Sequence, residues 1–386
     1  MKQTILPILV LLLAFSINII YAQRPGVMAD PEIQPDKSVI FRVKAPHATT
    51  AMVSGSFPSS FARNVPMVKK DSIFEVTIGP LPSDMYEYDI ILDGVPMLDP
   101  GNPAVTRDGS WIQSRLLIPG GQGDLYDVKA VPHGDIKAVW YPSPVIGTER
   151  RMFIYTPPGY DKDPTKKYPV MYLLHGGGGD EEVWLSRGRA NYILDNLIAA
   201  GKAVPMIVVI TNGNPKTPAA PLDRPVTTVK DASGGIGPMA SGKFEESLIK
   251  DIIPYIEKNY RAIADADHRA VTGFSMGGYQ TQNITAAYPD KFRYIGVMSM
   301  GLFSSVRPEG YNKEHHVKQL AALQKNNPKV YWIAIGRQDF LYNSVIKLKE
   351  LYDEIGFKYT YRENEGTHDW NSWRLYLSEF APMCFK

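Results

Sequence analysis

Cysteine is nearly absent: the 386 residues hold one, Cys384. A lone thiol closes no intrachain disulfide, so stability must come from the core. Two residues from the C-terminus, it has nothing downstream to set a base beside it, which argues against a nucleophilic role. An excess of one charge is also lacking. Lys and Arg total 42 against 40 Asp and Glu, a net charge of +2, with the signs interspersed. No large field advertises a nucleic acid or an anionic membrane as partner, and a small neutral or mildly polar substrate fits better. There is no internal repeat. Long apolar runs are missing except near the start, where Lys2 precedes the stretch Ile5 to Phe15 and small Ala22 closes the segment. That stretch is shorter than the ~20 residues of a spanning helix. It reads as a secretory signal peptide over residues 1–22, with no cysteine nearby for a lipid. The expectation is a secreted or periplasmic protein with no stable membrane insertion.

What remains is longer than the ~100–200 residues of one domain, and its rhythm changes partway. In residues 30–122, short apolar or alternating runs (Val39 to Val43, Ala51 to Ser54, Phe74 to Ile78, Tyr86 to Leu92) are separated by turn residues, with Asp93-Gly94 as a tight-turn signal. No helical period interrupts them, which predicts an all-β sandwich. After a Gly-rich join at Gly120 to Gly123, residues 131–386 alternate buried-strand runs with amphipathic stretches. The strands are expected at Val170 to Leu174, Met206 to Ile210, Ala270 to Gly273, Tyr294 to Ser299 and Val330 to Ile335. The helices are expected at Phe244 to Tyr260, Met276 to Tyr288, Lys313 to Gln324 and Val345 to Ile355. This predicts an α/β domain with a mostly parallel sheet covered on both faces. The connection from Thr211 to about Gly242 is long enough to be functional, and it leaves the carboxyl end of a strand, where such sheets bind ligands.

Gly273-Phe274-Ser275-Met276-Gly277 carries the chemistry. Its spelling is weak evidence alone, but a strand precedes it and a helix follows, so Ser275 falls on the sharp turn that a nucleophile elbow requires. A serine hydroxyl needs a general base, and on such a sheet serine, acid and histidine follow in that chain order. Only His315, His316 and His368 lie beyond Ser275. The first two open a predicted helix and are expected at the surface, whereas His368 sits in a loop after the strand-like Lys358 to Arg362. Asp339, three residues past Gly336, is the acid that would hold the imidazole tautomer. Asp369 competes but is adjacent to the histidine, and Glu363 and Glu365 are weaker alternatives. His175-Gly176-Gly177-Gly178-Gly179 follows a buried strand and offers unhindered amides, so Gly177 and Met276 N–H are the expected oxyanion donors, with His175 holding the loop. No Lys-Ser/Thr pair follows the glycines, which argues against a phosphate loop. Trp184, Asn212, Gln280 and Trp370 are the candidate substrate contacts. The mechanism calls for no metal and no organic cofactor.

From about Val131 onward, Tyr155-Thr156-Pro157-Pro158-Gly159-Tyr160, Leu173-Leu174-His175-Gly176-Gly177, the Ser275 motif and Gly366-Thr367-His368-Asp369 resemble carbohydrate esterase family 1, the esterase-D-like α/β-hydrolases that include feruloyl esterases. The resemblance implies a Ser275, Asp339, His368 triad that removes feruloyl or other acyl groups from plant polysaccharide such as arabinoxylan. Val39 to Pro46, Val53-Ser54-Gly55-Ser56-Phe57 and Tyr86 through Asp93-Gly94 to Asp99-Pro100 resemble a family 48 carbohydrate-binding module, which implies an immunoglobulin-like fold. Tyr86, Tyr88 and Trp111 are its candidate sugar-stacking rings, or else core packing. Acetyl-xylan esterase, an enterochelin-esterase-like hydrolase and a non-catalytic carbohydrate-binding protein are the alternative readings.

Overall fold

The computed structural model describes residues 31–58, 60–223, 241–302 and 311–386. The expected signal peptide and most of the long connection after Thr211 lie outside the described residues.

Ten strands between Glu32 and Leu117 form two antiparallel sheets. One has the order β1 (Glu32–Ile33), β2 (Val39–Lys44), β6 (Ile73–Ile78), β5 (Val68–Lys70). The other runs β4 (Asn64–Pro66), β3 (Ala51–Gly55), β7 (Met85–Leu92), β10 (Trp111–Leu117), β9 (Val105–Asp108), with β8 (Val95–Met97) also on β7. Period-two alternation sends Val39, Phe41 and Val43 of β2 inward against Tyr86, Tyr88 and Ile90 of β7. The Phe41 and Tyr88 rings meet edge to face at 5.0 Å. Tyr86 and Tyr88 are therefore core packing, the other of the two expected roles, and neither ring is open to a sugar; Trp111 is 73 % exposed. Asp93 and Gly94, both at positive φ, turn β7 into β8.

The main sheet has eight strands in the order β11 (Asp135–Ser143), β12 (Thr148–Thr156), β14 (Ile207–Thr211), β13 (Val170–Leu174), β15 (Arg269–Phe274), β16 (Tyr294–Met298), β17 (Val330–Gly336), β18 (Thr360–Asn364). β12 is antiparallel to both neighbours, and from β14 onward the strands are parallel. The sheet is thus mixed, and β11 and β12 were not among the expected strands. β13 is buried throughout because both faces are covered. Val170, Tyr172 and Leu174 join one apolar cluster, Met171 and Leu173 the other. The first cluster takes side chains from a long helix, α3 (Lys243–Ser247, a π-helical turn Leu248–Ile252, then Ile253–Asn259), and from α4 (Met276–Ala287), α5 (Lys313–Lys325) and α6 (Tyr342–Glu354). The second takes them from α1 (Val183–Ser186), α2 (Ala190–Ala199) and α7 (Trp370–Phe380).

The two-sheet part is fastened to the main sheet by a buried cation. Arg374 of α7 is fully enclosed and donates to the carbonyls of Met85 and Arg187, both at 2.9 Å, with Glu87 and Asp84 at 3.6 and 3.7 Å. A charge this deep is costly, and the two carbonyls and the nearby carboxylates offset that cost although Nε is buried without a partner.

Candidate active site

Ser275 joins β15 to α4 with φ of 52° and ψ of −118°, a conformation costly for a residue with a side chain. The neighbours hold it there. Ser275 N–H donates to Met298 O at 2.9 Å, and Tyr279 N–H to Ser275 O at 2.9 Å. A Cβ on Gly277 would lie 2.7–2.8 Å from the carbonyl oxygens of His175 and Leu174, so only glycine lets α4 start this close to the end of β13. The turn lifts the serine hydroxyl to the carboxyl edge of the sheet.

His368 reaches it from the loop after β18. Its Nε2 is 3.0 Å from Ser275 Oγ, and its Nδ1 is 2.8 Å from Asp339 Oδ2. The other carboxylate oxygen of Asp339 accepts Leu341 N–H at 2.8 Å. The Asp339 side chain is fully buried and that of His368 is 15 % exposed. The loops carrying the two residues are tied together: Arg337 N–H donates to Asn364 O at 2.8 Å and Gln338 N–H to Gly366 O at 3.1 Å. Asp369, the competing acid, is the N-cap of α7 and accepts Ser372 N–H at 3.0 Å. Glu363 serves Arg337, Tyr342 and Tyr361, and Glu365 serves Arg337.

The glycine loop begins against the elbow, where a Cβ on Gly176 would lie 2.3 Å from the Phe274 ring. Among the described residues neither Gly177 N–H nor Met276 N–H has a protein acceptor, so both donors are free for a ligand oxygen. His175 is buried beneath them. Its Nε2 accepts Gly213 N–H at 2.8 Å, so Nδ1 carries the proton and donates to Gly176 O at 2.7 Å. Burial pushes its pKa below the usual imidazole range, which keeps this neutral tautomer in place. One ring thereby ties the glycine loop to the segment after β14. Glu181 pins the same segment, accepting from Arg151 at 2.7 Å, Asn212 Nδ2 at 3.0 Å and Ala220 N–H at 2.8 Å. Burial pushes its carboxyl up, against the pull of these donors.

The structure brings Ser275, His368 and Asp339 together, with Met276 next to Ser275 in the chain, but it does not expose the four candidate substrate contacts. Trp184 is enclosed and donates to Leu174 O at 3.0 Å. Trp370 is 3 % exposed, its ring 4.8 Å from that of Phe274 and 5.2 Å from that of Trp184. Asn212 spends its amide on Glu181, Asn214 and Thr217, and Gln280 donates to Gly213 O at 2.8 Å, both fully buried. Direct contact with substrate is corrected for all four: they pack the elbow or hold the loop behind it. His316 is corrected too, being buried rather than at the surface.

Two neighbours of the site were missed. Phe340, directly after Asp339, is 76 % exposed with its ring 4.4 Å from that of His368. Trp373 stands edge-on to His368 at 5.1 Å, stacks on Phe274 at 3.9 Å and donates to Ser299 Oγ at 3.0 Å. Its position one turn beyond Trp370 was the only signal for it.

Comparison with known proteins gives the family. A family model described as "Putative esterase" matches residues 143–382. An endo-1,4-beta-xylanase/feruloyl esterase of Xylanibacter ruminicola is 32 % identical over 363 residues, covering 92 % of this chain and 46 % of the relative. Endo-1,4-beta-xylanase Y of Acetivibrio thermocellus is 25 % identical over 264 residues, 62 % of this chain and 22 % of the relative. The chain therefore spans less than half the length of these curated relatives. Among solved structures, a ferulic acid esterase of carbohydrate esterase family 1 from Anaeromyces mucronatus aligns with a TM-score of 0.56 at 27 % identity, over 68 % of this chain and 95 % of its own. The enterobactin esterase of Shigella flexneri aligns over 89 % of this chain and 92 % of its own with a TM-score of 0.62, but at 16 % identity this is a likeness of fold.

Proposed function

Because the chain belongs to the esterase family and is a serine esterase related to carbohydrate esterase family 1, we propose that it releases feruloyl or related hydroxycinnamoyl groups from plant cell-wall polysaccharide such as arabinoxylan, with Ser275, His368 and Asp339 as the triad. The observation that carries the reading is the continuous line from Ser275 Oγ through the His368 ring to Asp339, at 3.0 and 2.8 Å. In this reading Ser275 Oγ attacks the ester carbonyl while His368 Nε2 takes its proton. Asp339 stabilises the imidazolium, and the Gly177 and Met276 amides receive the oxyanion. The C–O bond breaks as His368 returns the proton to the departing sugar oxygen, leaving an acyl-serine. Water then gives a proton to the same imidazole and attacks the acyl carbon, and the acyl–Oγ bond breaks as His368 returns that proton to Ser275 Oγ, freeing the acid.

The choice of a hydroxycinnamoyl ester over acetyl or catecholate esters is supported by the Xylanibacter relative, which matches 92 % of this chain. The likeness to the enterobactin esterase is one of fold and favours no siderophore. Residues 30–122 are proposed as an immunoglobulin-like, carbohydrate-binding-module-like domain and residues 131–386 as the esterase domain. Residues 1–22 are proposed as the signal for export. The test is to incubate the protein with methyl ferulate, methyl caffeate, acetylated xylan and feruloylated arabinoxylan and identify the acid released. Ferulate from the polysaccharide, lost in S275A with folding intact, is the expected result. Release of acetate alone overturns the acyl assignment. A folded S275A that keeps its activity overturns the triad, and a wild-type protein unlabelled by a fluorophosphonate leaves the binding-only reading.

A further inference from the structure

The β9–β10 hairpin belongs to the amino-terminal sheets, yet its tip lies against the loop that carries Gly177. Asp108 ends β9. Its Oδ2 accepts the indole N–H of Trp370 at 3.0 Å and an Arg187 N–H at 3.2 Å. Its Oδ1 would lie 3.3 Å from a Cβ on Gly179, and a Cβ on Gly109 would come within 2.2 Å of Gly178 O. Hairpin tip and glycine loop thus meet with no room for a side chain between them. Gly109 sits at φ of +59°, which suits the turn.

The tip is also fixed to the segment that follows the glycine loop. Arg107 N–H donates to Ser186 Oγ at 2.7 Å, and its guanidinium grips both oxygens of Asp180 at 2.7 and 2.8 Å and Glu182 at 2.6 Å. A paired arginine of this kind sets direction as well as energy. The Asp108 carboxylate is therefore held in one place before any substrate arrives.

What it holds is the ring at the centre of the packing under the site. Trp370 touches Phe274, the residue before Ser275, and lies 5.2 Å from Trp373, which stands against His368. An indole N–H left buried without an acceptor is costly, so without Asp108 the ring has reason to turn. A turned Trp370 would disturb the elbow and the histidine loop together. We infer that Asp108 is a positioning residue of the esterase site, supplied by the amino-terminal sheets, which sets the Trp370 indole and the Gly176–Gly179 loop where the Ser275 chemistry needs them. The inference rests on Ser275 being the nucleophile.

The test uses the full chain with D108A, D108N and G109A. Asparagine still offers the indole an oxygen; alanine offers none. G109A leaves the carboxylate and drives a Cβ at Gly178 O. The readouts are kcat and KM on methyl ferulate, the rate of fluorophosphonate inactivation, the melting temperature, and the NMR resonance of the Trp370 indole N–H, assigned by its loss in W370F. In D108A, kcat and the inactivation rate are expected to fall together by about 10- to 100-fold, the size of effect that a misplacement near 1 Å produces, with KM within about 2-fold. The indole resonance should move upfield. D108N should recover most of the rate and the resonance, and G109A should lose rate with the resonance in place. Should D108A fail to fold, D108N and G109A carry the test. Wild-type kcat in D108A, or in G109A, overturns the inference, as does an equal loss in D108A and D108N, which would make the Arg187 ion pair the cause. A wild-type protein unlabelled by the fluorophosphonate overturns the nucleophile itself, an outcome distinct from these.

Discussion

Replacing Asp339 by asparagine tests the tautomer on which the proposed mechanism depends. One Asp339 oxygen faces His368 Nδ1 at 2.8 Å and the other accepts Leu341 N–H at 2.8 Å. An asparagine of the same shape has one oxygen to share between these two places. If its oxygen stays with Leu341, its NH2 faces Nδ1, and the imidazole must carry its proton on Nε2, toward Ser275 Oγ. It then cannot accept the serine proton. If the amide flips, two N–H groups confront each other at Leu341 in a buried site, which costs about 1–3 kcal/mol. Moving the imidazole proton costs less, so the wrong tautomer dominates, and what remains lacks the charge that stabilises the imidazolium. The expected loss is about 10⁴-fold in kcat, or about 5.5 kcal/mol of transition-state stabilisation. The assay is methyl ferulate hydrolysis beside thermal unfolding, since an isosteric change should leave the fold in place. A folded D339N that keeps more than about a tenth of wild-type kcat refutes the reasoning, because either tautomer argument or triad must then fail.

Other outcomes follow from single features. Cys384 is buried and burial pushes its thiol well above the usual range, so a thiol reagent should modify it only after denaturation; rapid reaction with native protein would contradict this. Burial raises the Asp84 carboxyl from 3.8 to about 6 in spite of Arg374 at 3.7 Å. The folded state thus binds this proton more tightly than the unfolded chain, and stability falls as pH rises from about 4 through 6, by about 3 kcal/mol at most. Wild type should lose stability relative to D84N over that window, and denaturant unfolding at pH 4 and pH 7 measures it; a constant difference would refute the shift. Phe340 presents its ring beside His368, where the departing alcohol sits in the proposed mechanism. F340A should raise KM for feruloylated arabinoxylan oligosaccharide by about 5-fold or more, a loss of the order of one aromatic contact, and an unchanged KM would place the sugar elsewhere.

The parts of the site that were legible are those whose signal is local or ordered along the chain. Ser275 stood between a buried strand and a helix, and the order of serine, acid and histidine reduced the bases to one loop. Even the choice of Asp339 over Asp369 has a local cause: Asp369 is three residues before Ser372 and caps α7, so its carboxylate is engaged with backbone. Residue type and adjacency failed for Trp184, Asn212, Gln280 and Trp370, since neither says whether a side chain faces the cleft or the layer behind it. β12 was hidden for a related reason. Arg150 and Arg151 sit in it side by side, a charged pair that breaks an apolar strand pattern, yet both are buried, Arg150 donating to the carbonyls of Asn212 and Asn214 and Arg151 to Glu181. Their partners lie 30 to 64 residues away, beyond the reach of any periodicity. The bond between Asp108 and Trp370 spans 262 residues and joins two parts with different rhythms. Pattern reading separates those parts by their periods, whereas the buried Arg374, the Arg107 grip on Asp180 and the close approach of Gly109 to Gly178 bind them at the one edge where Ser275 emerges. Charged groups at such a join cost desolvation and are worth keeping where they fix geometry, which is why the effect of cutting the Asp108 contact should appear in turnover more than in melting temperature.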